Sequence, residues 1–353
     1  MAGPLEYIKW RGDLSFEVSP SNEVDYFLLC MLSVPDFSGI VGDTPVSVAE
    51  AAEIFFSDEY SGRKLGVLQS ANTFPAFESM ARSVRFRDIL ISNFERKVDA
   101  DIAEQFSAIT ALLPDGTLCI CFSGTDDTII GWKEDFNIAV LDEVPSQQEA
   151  VDYINRVATG FCGDIVTCGH SKGGNLSAFA AAKADPEIKE HLRTAYNFDG
   201  PGFRSFFLDS PDYTQVRDRI NTIISQNTTV GTLLKSVGNV TIVKSNVRGA
   251  SAHDCFNWEV LGTEFLRMDS LSAASRAFDR AMDETLESMS LEERREFTDD
   301  LFDMLLSSGA ETITDFVNLK AGEKLDVVKN IRSDKRVHAF VTEVLEKMIK
   351  ALR

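Results

Sequence analysis

Positive charge is what this chain lacks most: 35 Lys and Arg stand against 55 Asp and Glu among 353 residues, a formal charge of −20. That shortage excludes a nucleic-acid binder, which needs Lys and Arg to displace counterions from phosphate, and argues against adsorption to an anionic membrane surface. Long hydrophobic runs are missing too. The longest near the start, Tyr26 to Leu32, falls far short of the roughly 18 residues a membrane span requires, so no stable membrane insertion is expected. Met1 to Phe16 carries Glu6, Lys9, Arg11 and Asp13 and no apolar core of signal-peptide type, which makes a cytoplasmic location the expectation. Histidine is scarce, 4 in all without a helical pair, and the 6 cysteines (Cys30, Cys119, Cys121, Cys162, Cys168, Cys255) show no zinc-type spacing. Neither a metal nor another cofactor is expected. Cys119 and Cys121, at i and i+2 in an apolar run, share one face of a strand, and the cysteines read as reduced, buried thiols.

What is there is ordinary globular material: 44% hydrophobic and 25% charged residues, enough for a sizeable core. At roughly 150 residues per domain, the length allows two or three units, or one large α/β domain with an extension. Three zones emerge. In the first, an apolar helix-like stretch from Asn22 to Leu32 follows Ser19-Pro20-Ser21, and Pro75 to Ser83 reads as a short helix with proline in its first turn. In the second, from about Asp88 to Trp258, short β-rich runs alternate with helical stretches. Asp88 to Ser92 is a strand, and Asp115-Gly116 joins the runs Ile109 to Leu113 and Thr117 to Phe122 as a hairpin. The third begins near Met268. Leu271, Ser275, Phe278, Met282 and Met289 fall at helical spacing, and Ser290-Leu291-Glu292-Glu293 has the form of a capping box opening a helix toward Leu306. Val337, Phe340, Val341, Val344, Leu345, Met348 and Leu352 mark a final amphipathic helix. The expected division is therefore 1–267 and an all-helical extension over 268–353. Its apolar stripes pack on the body or on a partner, a second copy of the chain included.

The informative stretch is Asp164 to Ala178. A β-branched run leads into Gly169-His170-Ser171-Lys172-Gly173, a G-x-S-x-G pattern, and a small-residue helix follows. A nucleophilic serine must protrude at a sharp strand-to-helix turn, where strained backbone tolerates little bulk two residues to either side. The helix start behind it supplies free N–H groups and a positive dipole end, so the Lys172 N–H is a candidate oxyanion donor. A tight glycine turn without chemistry would have no need of the serine at its centre.

This elbow resembles that of α/β-hydrolases. Upstream, Cys121-Phe122-Ser123-Gly124-Thr125 with Trp132 following resembles the Phe-Arg-Gly-Thr/Ser and Trp segment of class 3 lipases, with Ser123 in the place of the usual arginine. The arrangement also resembles an uncharacterised bacterial branch of lipase-like hydrolases with a Gly-His-Ser-Lys-Gly-Gly-Asn elbow, an Asp-Gly-Pro-Gly segment and a late His-Asp pair. The likeness covers about Asn22 to Trp258. It implies an α/β-hydrolase fold, a central mostly parallel sheet flanked by helices, with Thr125 completing the oxyanion hole. It also implies a mobile lid near Asp126 to Trp132.

A loop after a late strand is where that fold places its base, and His253, after the run Val240 to Lys244, fits in the order Ser, acid, His. His170 should point away from the serine hydroxyl, and His191 reads as solvated. The acid is Asp199 by position and elimination, at the end of the strand Thr194 to Phe198, as in pancreatic-type lipases. Class 3 lipases carry it one strand later, in a segment resembling Ile224 to Val230, which here holds no carboxylate. Asp-Gly-Pro-Gly also suits a plain turn, and Asp254 is the second candidate. For Lys172, a carboxylate such as Asp126 or Asp127, or an anionic leaving group, is the expected partner. The expected activity is serine-based cleavage of a small acyl ester or thioester. The rival is a non-catalytic scaffold that binds a partner through its acidic body or helical tail.

Overall fold

The computed structural model describes residues 2–57, 64–66, 69–319 and 338. Helices α1 (Pro4–Arg11) and α2 (Glu23–Cys30) open the chain, followed by β1 (Val46–Ser47), α3 (Val48–Phe55) and α4 (Thr73–Arg82). Strands β2 (Leu90–Asp99), β3 (Glu104–Leu112) and β4 (Leu118–Phe122) run as a meander. Then come α5 (Ile129–Val140), α6 (Pro145–Ala158), β5 (Ile165–His170), α7 (Lys172–Lys183), α8 (Pro186–His191) and β6 (Leu192–Phe198). Short helices α9 (Ser205–Leu208) and α10 (Pro211–Val216) lead to β7 (Ile220–Ser225) and β8 (Asn239–Val243), and a two-stranded ribbon pairs β9 (Val260–Leu261) with β10 (Glu264–Phe265).

The eight strands β1 to β8 lie side by side in chain order. The pairs up to β3–β4 are antiparallel, and those from β4 to β8 are parallel. Right-handed crossovers that step steadily in one direction place all their helices on one face of a sheet. Accordingly α6, α7 and α10 bury Ala150, Ile154, Leu176, Ala180 and Val216 against Ile120 and Ile165. The opposite face would lie bare, and the N-terminal helices cover it: Phe27, Leu28, Phe55 and Phe77 join a second cluster with Cys119, Cys121, Val166 and Cys168. Because side chains alternate along a strand, β4 gives Ile120 and Phe122 to one layer and its two cysteines to the other. The result is an α/β-hydrolase fold with its central strands buried on both faces, which is why they read as continuous apolar runs.

The N-terminal layer is tied down by a buried ion pair: Arg85 Nη2 donates to Asp25 Oδ2 at 2.5 Å, and Tyr7 Oη donates to Asp25 Oδ1 at 2.8 Å. The strand foreseen over Asp88 to Ser92 begins at Leu90 and extends to Asp99, beyond a register shift between Ser92 and Glu95 where Asn93 takes φ +55°. That half is polar and partly exposed, so no apolar run announces it. Five cysteines are buried and Cys162 is exposed, all as free thiols; the sulfurs of Cys119 and Cys168 lie 3.4 Å apart.

Beyond residue 268 come α11 (Ala273–Ser288), α12 (Leu291–Leu306) and α13 (Ile313–Asn318). The capping box that opens α12 is present: Ser290 N donates to Glu293 Oε2 at 2.7 Å and Glu293 N to Ser290 Oγ at 3.2 Å. Helix α12 packs on α5 through a third cluster of Ile129, Phe302 and Ala310, with Trp132, Phe136 and Leu305 against it. The Asp126 to Trp132 segment thus enters a packed helix, capped by Thr128, with Ile129 fully buried. The amphipathic helix expected over residues 337–352 lies outside the described residues, His338 excepted. No described helix is long and apolar enough to cross a membrane.

Candidate active site

Ser171 sits between β5 and α7 with φ +59° and ψ −131°, a conformation L-residues rarely hold. The turn is tight enough that a Cβ on Gly169 would lie 2.1 Å from the Gly173 carbonyl oxygen, and one on Gly173 2.2 Å from that of Phe122. Both glycines of the G-x-S-x-G pattern are therefore steric requirements, and together they lift the serine out at the C-terminal edge of the sheet.

Three side chains from distant parts of the chain meet there. Ser171 Oγ lies 2.9 Å from His253 Nε2, and His253 Nδ1 lies 2.7 Å from Asp199 Oδ2. A carboxylate only accepts, so the ring proton sits on Nδ1 and Nε2 is left to accept from the serine hydroxyl. Asp199 is fully buried at the end of β6, with φ +52°. Two further donors hold it, Ser225 N at 3.1 Å on Oδ1 and Thr228 Oγ1 at 2.9 Å on Oδ2. The Ile224 to Val230 segment, which has no carboxylate of its own, thus serves the carboxylate one strand earlier. Asp254 turns away: it accepts from Ser70 Oγ at 2.7 Å and from Phe256 N at 3.0 Å.

His253 is braced by groups that sequence order did not reveal. His170 packs its ring against that of His253, centroids 4.6 Å apart, with its Nε2 2.8 Å from the His253 carbonyl oxygen. It is His253 and not His170 that pairs with the serine hydroxyl, and desolvation, helped by the neighbouring imidazole, pushes the His170 pKa down to about 3. Neutral His170 therefore donates from Nε2 and props the loop that carries His253. Trp258 Nε1 holds the same loop by donating to Ala252 O at 2.9 Å. Asn175, the last residue of the elbow motif, donates to the carbonyls of Pro201 and Gly202 and so clamps the Asp-Gly-Pro-Gly segment to α7. His191 is half-buried rather than solvated, closing α8 beneath β6.

Lys172 corrects an expectation. Its side chain is buried and pairs with neither Asp126 nor Asp127; its Nζ donates to Glu134 Oε2 at 2.9 Å, Gln105 O at 2.6 Å and Gln105 Oε1 at 2.7 Å. Glu134 also accepts from Gln105 N and Ser146 N, so the pair is satisfied on both sides. The first turn of α7 directs this side chain inward beneath α5, while Asp126 pairs with Arg96 and Asp127 caps Thr314. The Lys172 N–H stands at the first helical position, with no acceptor inside the helix. Thr125 lies in the loop that abuts Ser171, and its N–H makes no backbone hydrogen bond among the described residues. Its hydroxyl donates to Asp135 Oδ2 at 2.5 Å. Desolvation pushes the Asp135 carboxyl up to about 6, against the pull of Lys172 and of Thr125.

Ser171 and His253 stand at the junction of two cavities. One, of about 680 Å³, is mixed in character and includes Gln69, Thr125, Ser251 and Asn257 in its wall. The other, of about 270 Å³, is apolar and runs between α5 and the helices α11 and α12, lined among others by Phe136, Leu234, Phe278, Met282 and Phe297. Trp132 and Asp135 face both.

A family model described as Mbeg1-like matches residues 80–303, well over half of the chain, and the chain belongs to that family. Among solved structures, a chain titled M37 lipase is similar at 16% identity and TM-score 0.32 over 45% of this chain. The match spans less than two thirds of that lipase, 62% of its length. A triacylglycerol lipase from Penicillium expansum is similar at 13% identity and TM-score 0.32, over 50% of this chain and 81% of its own. No curated protein matches the chain.

Proposed function

For this member of the Mbeg1-like family we propose a serine hydrolase that cleaves an acyl ester or thioester through an acyl-enzyme. The observation that carries the reading is the row Ser171–His253–Asp199, hydrogen-bonded at 2.9 and 2.7 Å where two cavities meet. His253 Nε2 takes the hydroxyl proton as Ser171 Oγ attacks the acyl carbon. Asp199 holds the tautomer and stabilises the imidazolium. The N–H groups of Lys172 and Thr125 receive the oxyanion, each worth on the order of a hundredfold in rate. The proton then passes from His253 to the departing alcohol or thiol, and water repeats the cycle to release the acid. The apolar cavity suits the acyl chain, the mixed one the leaving group.

Intact-mass analysis after treatment with a fluorophosphonate tests this. We expect a single adduct on the wild type and none on Ser171→Ala. Folded wild-type protein that stays unlabelled would favour the non-catalytic scaffold instead.

A further inference from the structure

The apolar cavity has a polar feature that an ordinary fatty acyl chain does not require. Its wall follows α5 from Trp132, beside Ser171, to Val140 at the helix end, eight residues or about 12 Å at the helical rise. Arg294, from the first turns of α12, also lines this cavity. Its Nε is buried and has no hydrogen-bond partner among the described residues. Arg204 donates from Nη1 to the carbonyls of Ala139 (3.0 Å) and Val140 (3.5 Å) at the α5 end remote from the serine. Arg294 lines the cavity together with that end of α5 and feels the Arg204 charge. Desolvation and that like charge push the Arg294 pKa down, with exposed Glu287 opposing. A guanidinium kept partly desolvated beside another cation is costly, and an anion placed in the cavity relieves the cost.

We propose that the acyl group this cavity takes is an apolar chain whose far end carries a carboxylate, so that the substrate is a monoester or monothioester of a medium-length dicarboxylic acid. The scissile carbonyl lies at Ser171, the methylenes pass Phe136, Phe278 and Met282, and the terminal carboxylate accepts from Arg294. The proposal rests on the preceding one only for the position of the carbonyl. The anion site itself is a property of the α5, α11 and α12 wall.

Two measurements separate the two claims. In the first, monomethyl sebacate and methyl decanoate, which differ only in the terminal carboxylate, are titrated by calorimetry into the full-length protein carrying Ser171→Ala, alone and with Arg294→Met, after thermal melts establish that both fold. Monomethyl sebacate should bind at least tenfold tighter than methyl decanoate, and Arg294→Met should abolish that difference, as loss of one charged hydrogen bond predicts. In the second, kcat/KM is measured for the p-nitrophenyl monoester of sebacic acid and for p-nitrophenyl decanoate. The ratio should favour the carboxylate ester tenfold or more in the wild type and fall to near unity in Arg294→Met. Arg294-dependent preference for monomethyl sebacate without turnover of either p-nitrophenyl ester would sink the hydrolase and keep the anion site. Turnover with equal preference, or a preference that survives Arg294→Met, would overturn the anion site and keep the hydrolase.

Discussion

At the scale of single residues, two groups beside the candidate nucleophile pull the pH dependence of stability in opposite directions. His170 has its folded pKa pushed down to about 3, below the unfolded value of about 6.5. The unfolded chain therefore takes up a proton that the folded one refuses, and the stability that neutral His170 allows is lost as pH falls from about 6.5 toward 3. Asp135 does the reverse. Its carboxyl is held up to about 6, against about 3.9 unfolded, so its contribution is complete at acid pH and is lost as pH rises through 6. Urea midpoints between pH 4 and 7 should expose both. His170→Gln, whose amide can still donate to the His253 carbonyl, should gain on the wild type as pH falls. Asp135→Asn should gain on it as pH rises. Parallel curves for all three proteins would mean that neither group is desolvated as its surroundings suggest.

At the scale of elements, α12 is the informative case. Its capping box lies within four residues, and its start was therefore legible in the sequence at Ser290 and Glu293. Its destination was not. That Phe302 meets the ring of Phe136 at 5.2 Å depends on where a helix some 160 positions earlier lies, and no local pattern encodes this. The same division holds at the candidate site. Ser171 was legible because an elbow is a local geometry, His253 by the chain order of the fold the sequence resembles, and Asp199 by position and by the lack of a carboxylate one strand later. The donors on Asp199, the brace from His170 and the Glu134 partner of Lys172 were hidden, since hydroxyls, amides and buried ion pairs leave no periodic trace. The packing of α12 has a consequence that hydrogen exchange can test. Phe302→Ala removes an aromatic from a cluster shared by α5, α12 and the Ala310 turn, a loss of about 3–5 kcal/mol if expressed globally. Because that cluster is separate from the two sheet cores, amides of α12 should lose protection while those of β5 keep theirs. Equal loss in β5 would show that α12 opens only with the whole molecule.

At the scale of the whole molecule, net charge and the local site oppose each other. The alternation of β-rich runs with helical stretches was legible in the pattern and the mostly parallel sheet was what the resemblance implied, but a charge of −20 says nothing about where a few cations are placed. If the cavity takes a chain ending in a carboxylate, that substrate must first approach a strongly acidic surface. Such repulsion acts over the Debye length, about 30 Å at 0.01 M salt and about 8 Å at 0.15 M, whereas Arg294 acts inside the cavity, where salt screens little. Raising salt from 0.01 to 0.15 M should therefore raise kcat/KM for the carboxylate-terminated ester and leave the neutral ester nearly level, so that their ratio climbs. The effect belongs to approach rather than to chemistry, and kcat should not follow it. A ratio that falls with salt would mean that the field of Arg204 and Arg294 reaches beyond the cavity mouth and steers the anion in, despite the charge of the body around it.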